Sequence, residues 1–177
     1  MKFKSLVTVI LFLSGCATTG NINQPIGQEK LNFSVPKNYK IAHQVQSNGQ
    51  SILELIPQNE TLGNWTRMVT IQTFENPEKY NPEKFINGMF QLADNPCENV
   101  FSTKILTSTI NGFPYSHGSM RCDFKDKNKL GEAFTVKAIK GNKLFYVAQV
   151  ASRTPMSNNE AQYWAYYVIG INVSAQE

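Results

Sequence analysis

Apolar and polar residues alternate along most of this chain, and the alternation gives way to helical spacing in only two places. Leu31, Phe33 and Val35 alternate in LNFSVP, which reads as a short strand ended by Pro36. YKIAHQV sets Tyr39, Ile41, His43 and Val45 on one face of a second strand. SILELIP, with Ile52, Leu53, Leu55 and Ile56, reads as a mostly buried strand, and QNETLGN as a loop after it. WTRMVTIQTF puts Trp65, Arg67, Val69, Ile71 and Thr73 on one side and Met68 and Phe74 on the other. The period then changes. In NPEKFINGMFQLADNP, Asn81 can cap a helix and Pro82 suits its first position. Phe85, Met89 and Leu92, with Ile86 and Phe90, make the apolar stripe, and Pro96 ends it beside Cys97.

The second half reads as a meander. FSTKILTSTI is rich in strand formers, Asn111-Gly112 marks a tight turn, and PYSHGSMRCDF returns. KDKNKLG is a charged turn. EAFTVKAIK and LFYVAQVAS flank Gly141-Asn142, a second hairpin dipeptide. Ser157 and Glu160 fit a capping box, and Ala161, Trp164, Val168 and Ile171 recur at helical spacing, so the chain is expected to end in an amphipathic helix. Strands, helix, meander and helix predict an α+β fold, an antiparallel sheet with a central and a C-terminal helix packed on it.

Before this domain the chain has a different grammar. Lys2 and Lys4 precede a short apolar run, Leu6 to Leu13, well below the roughly 20 residues a spanning helix needs. Small residues and a cysteine follow as Leu13-Ser14-Gly15-Cys16. That order resembles the lipobox of bacterial lipoproteins. The resemblance implies cleavage before Cys16 and acylation of its thiol, with residues 1–15 a signal peptide. Two or three acyl chains anchor durably, since each buried CH₂ adds about 0.8 kcal/mol and one chain binds only marginally. Ala17, in place of Asp, favours by the same resemblance transfer to the outer membrane, and the domain is expected to face the periplasm. Residues 16–30, polar with Gly and Pro and without periodicity, read as a lipidated flexible tether, and residues 31–177 as one α+β domain.

This processing changes the charge. The whole chain is formally +4, but without residues 1–15 fifteen basic side chains stand against thirteen acidic ones. No Lys/Arg block accompanies that balance, so nucleic acid is excluded as a partner. With Cys16 acylated, Cys97 and Cys122 remain, and an even remainder in an exported protein reads as a disulfide; two separate buried thiols are the alternative. With no CxxC, and with His43 and His117 isolated, no metal site is expected. Three matches to the N-glycosylation pattern, at Asn59, Asn64 and Asn172, carry no weight in a bacterial chain.

The order of elements resembles the PsbP-like fold. NWTRMVTIQTF, NGFPYSHGSMRCDF and KAIKGNKLFYVAQVASR resemble an uncharacterised family of exported bacterial proteins, over most of residues 50–172. The resemblance implies a Trp at the start of a strand (Trp65) and a cysteine pair (Cys97 and Cys122). It implies no catalytic residue and no cofactor.

Chemistry is weakly signalled. Ser116-His117-Gly118-Ser119 invites a hydrolase reading, but adjacent strand residues point to opposite faces and no GxSxG elbow is present. Glu54 with Glu60, or Glu75 with Glu78, could serve as acid–base pairs, although strand and loop settings favour solvated charges. The expected function is therefore that of a non-enzymatic envelope lipoprotein contacting another envelope protein. Trp65, Tyr163, Tyr166 and Tyr167 are the candidate contacts, Trp being favoured at hot spots. The alternative is a carrier of a small apolar ligand, with a pocket between sheet and helix lined by Phe85, Met89 or Phe90.

Overall fold

The computed structural model describes residues 29–94, 97–124 and 131–175. Cys16, the signal peptide and residues 17–28 of the tether lie outside the described residues, as do Pro96 and most of the charged turn after Phe124. The strands in chain order are β1 (Lys30–Asn32), β2 (Tyr39–Ser47), β3 (Gln50–Pro57), β4 (Arg67–Glu75), β5 (Cys97–Ser102), β6 (Leu106–Ile110), β7 (Phe113–Phe124), β8 (Glu132–Lys140), β9 (Leu144–Ser152) and β10 (Asn172–Ser174). Helix α1 (Pro82–Asp94) follows β4, and α2 (Asn158–Gly170) precedes β10.

Eight strands form one antiparallel sheet in the order β2-β3-β4-β9-β8-β7-β5, with β6 also on β7. The two helices cover opposite faces of it. Met68, Phe134, Val136, Phe145 and Val147 pack with Ile86 of α1, while their strand neighbours Val69, Ala148 and Val150 pack with Trp164 and Val168 of α2. The fold is thus the expected α+β arrangement, and the placing of the two helices on opposite faces is added to it by the structure.

Local chemistry explains the joints. Asn48-Gly49 and Asn111-Gly112 all have positive φ, so the hairpins β2–β3 and β6–β7 close on two residues that tolerate it. Asn81 Oδ1 accepts from Lys84 N at 2.9 Å and caps α1. Ser157 Oγ accepts from Glu160 N at 3.3 Å and caps α2. Glu160 does not complete the expected box, because its carboxylate takes Arg67 instead.

Several expectations change. LNFSVP forms a strand only at Lys30–Asn32. A β-bulge between Ile41 and His43 moves Tyr39 and Ile41 to the face opposite His43 and Val45. Trp65 lies outside β4 and packs with Met68 rather than alongside Arg67 and Val69. FSTKILTSTI divides into the end of β5 and β6, interrupted where Thr103 N bonds to Ser119 O. The chain does not end in a helix, since β10 follows α2 and pairs with β1.

Cys97 and Cys122 are disulfide-bonded, with Cα atoms 5.4 Å apart. Cys97 opens β5, and Cys122 faces Val100 across the β5–β7 ladder. The bridge therefore ties the segment after α1 to the meander.

Candidate functional site

Helix α2 carries the aromatic candidates. Trp164 is its buried anchor, and three rings meet it edge-on: Tyr39 at 5.7 Å, Tyr163 at 4.9 Å and Tyr167 at 5.6 Å between centroids. Tyr163 remains 55% exposed and Tyr166 66% exposed, although Tyr163 has its ring pinned against Trp164. Tyr167 is half-buried and donates its hydroxyl to Ser34 O at 2.7 Å; burial pushes its phenol up to about 12. Of the four candidate contacts, the helix thus presents two outward and fastens the third to its own chain.

Trp65 is not available to a partner. It is 4% exposed, packed in the core, with the Arg153 guanidinium 3.9 Å above its ring. Burial raises the Glu132 carboxyl, whose ion pair with Arg153 at 3.9 Å works against that shift.

The α2 platform is held by a residue the hydrophobic pattern treats as ordinary. Arg67 is buried, yet its guanidinium bonds Glu160 at 2.8 Å, Thr66 O, Thr154 Oγ1 and Pro155 O. It thereby fixes the N-terminus of α2 to β4. At the other end of α2, buried Lys137 of β8 donates to Ile169 O and Ile171 O, both at 2.6 Å. Those are carbonyls a helix end leaves unpaired, and a cation there suits the dipole.

The carrier pocket is not formed as expected. Phe85 is taken up with Phe74 and Phe145, and Met89 packs on the core. A depression of about 580 Å³, open to solvent, lies between α1 and the β5–β6 connection. Phe90 and Ile105 are its apolar contributors among Asn81, Glu83, Lys84, Asn87, Ser102, Thr103 and Lys104.

The acid–base candidates are dispersed. Ser116 is fully buried and bonded to Thr107, and His117 lies on the other face, stacked on Tyr115. Desolvation, with the Lys137 charge, lowers the imidazole's pKa. Glu60 holds Thr66 through both backbone and hydroxyl at 2.7 Å, and Glu78 pairs with Lys140 at 2.7 Å. Glu54, buried opposite His43, has its carboxyl raised by desolvation, which the His43 charge opposes. Among the described residues no three His, Cys, Asp or Glu side chains gather as a metal site, and no helix is long and apolar enough to cross a membrane.

No family model matches this chain, and no curated protein matches it in sequence. Solved structures match it in fold. LpqN of Mycobacterium tuberculosis, described as involved in cell envelope biogenesis, superposes with a TM-score of 0.52 at 11% identity, over 88% of each chain. A protein of Bacteroides thetaiotaomicron aligns over 84% of this chain and 45% of its own, at 11% identity and a TM-score of 0.39. The first likeness extends over nearly the whole length of both chains and shows a shared fold.

Proposed function

We propose that this protein is a lipid-anchored, non-enzymatic accessory protein of the bacterial envelope, held in the outer membrane through Cys16. It faces the periplasm and docks another envelope protein on the outer surface of α2. The observation that carries the docking surface is Tyr163, more than half exposed yet fixed edge-on against buried Trp164, with exposed Tyr166 one turn on. Aromatic side chains held in place before binding lose little rotamer freedom on contact, which is what an interface anchor requires. The lipobox at 13–16 and the fold shared with a protein of cell envelope biogenesis support the setting. The PsbP-like and exported-family resemblances belong to the same proposal. For the carrier alternative, the depression beside Phe90 is open to solvent and lined mostly by polar residues.

Photo-crosslinking amino acids at Tyr163 and Tyr166 in intact cells test the surface. One defined envelope protein should be trapped from both positions and not from Glu83 or Lys84 of α1, which lie on the opposite face of the sheet. Equal trapping from all four positions, or none from α2, defeats the reading.

A further inference from the structure

The first described residue is among the most firmly held. Glu29 is 7% exposed and sits over the β8–β9 turn. Its Oε2 accepts from Asn142 N at 2.6 Å, and its Oε1 accepts from Lys143 N at 2.9 Å, Leu144 N at 2.8 Å and the Tyr146 hydroxyl at 3.2 Å. Consecutive backbone N–H groups in a turn form such an anion-binding concavity. Gly141 makes the room: a Cβ there would strike Glu29 Oε1 and lie 2.7 Å from Leu144 O. The next residues continue the attachment. Lys30, Leu31 and Asn32 pair with Ser174, Val173 and Asn172, and Leu31 packs with Phe113, Ile139 and Tyr146. Glu29, expected in the tether, therefore belongs to the domain.

This attachment point is at one end of the sheet. Gln50 pairs with Phe74, and Glu75 with Leu144, so the 48–49 and 141–143 turns share that end. Tyr115 pairs with Ile139, which brings the 111–112 turn there too. Arg67 pairs with Ser152, and Cys122 with Glu132, at the opposite end. That end carries the 58–66 loop with exposed Leu62, the disulfide and the start of α2.

We propose that Glu29 is a clasp that fixes where the anchored chain leaves the domain, so that the end bearing the three turns faces the bilayer and the end bearing Leu62 faces away. The orientation rests on the reading of Cys16 as the lipid anchor. Magnitudes decide it. Twelve residues separate Cys16 from Glu29, and a stretch of that length reaches at most about 43 Å even when fully extended. The nine-residue strands β4 and β9 are about 30 Å long. Turning the far end to the bilayer would consume most of the tether's reach, so the clasped end is favoured on the membrane side.

The test uses the mature lipidated chain in phosphatidylethanolamine–phosphatidylglycerol vesicles. Amide exchange at Asn142, Lys143 and Leu144, referred to Val69 and Val150, should quicken at least tenfold in Glu29→Ala. It should do the same in Gly141→Ala, whose added Cβ crowds the carboxylate and Leu144 O. Unchanged ratios in both variants overturn the clasp. Spin labels at Gln50→Cys and Leu62→Cys read the orientation against a relaxing agent at the headgroups. Several-fold stronger relaxation at position 50 is expected, and equal or reversed relaxation overturns it. A chain that carries no acyl group takes the orientation down with the anchor, while the exchange ratios still decide the clasp.

Discussion

A lysine on a strand ordinarily marks solvent, yet Lys137 has no exposed surface. Its ammonium is satisfied by Ile169 O and Ile171 O and lies 4.3 Å from the centroid of the Tyr115 ring. Burial lowers its pKa to about 8, against an ordinary value of 10.5. A lysine whose folded pKa is depressed penalises the fold while it is charged, and the penalty is relieved as pH rises from about 8 toward the unfolded value. Denaturant unfolding of the wild type relative to Lys137→Met should therefore show a stability difference that grows in the wild type's favour between pH 7.5 and 9.5. This window avoids His117, whose lowered pKa acts on the acid side. A flat difference would refute the assignment. At pH 7.5 the variant should still lose about 1–3 kcal/mol, because two helix-end carbonyls are left unpaired. Little of this was legible in the sequence. The helix caps bond within three residues and can be read locally. The partners of Lys137 lie 32 and 34 residues away, and those of Glu29 113 to 117 away.

Strands of eight or nine residues announced themselves by alternation, because one face or both must be apolar. The three-residue strands β1 and β10 did not, since so short a segment has no period and exists only through its partner. The bulge in β2 likewise inverted the faces of residues that alternate correctly on either side of it. The cysteine pair was legible by parity, and its geometry follows from β5 lying beside β7. Losing the bridge should cost roughly 2–5 kcal/mol, so Cys97→Ser and Cys122→Ser should be destabilised alike and the double variant hardly more. Chemical denaturation of the three variants checks it. A double variant that loses the sum of the singles would show that each thiol contributes separately.

For the whole molecule, Cys16→Ser should leave a longer precursor that takes up no labelled palmitate; normal processing of that variant would remove the anchor from the account. The fold class could be inferred from the order of elements, but the placing of α1 and α2 on opposite faces could not, because that depends on which way each connection crosses the sheet. One further consequence lies in the pairing of β1 with β10, the first strand with the last. Closing a loop of that length, about 140 residues between Asn32 and Asn172, costs on the order of 4 kcal/mol if attempted alone. Once β9 and α2 have set β10 in place, most of that cost has already been met. Assembly is therefore ordered in time: β1 stays unpaired until β10 has been made and set in place. Synthesis stopped at Ile171 should leave Leu31 open to protease while the eight-stranded sheet stays closed, so β1 is sealed only by the arrival of β10.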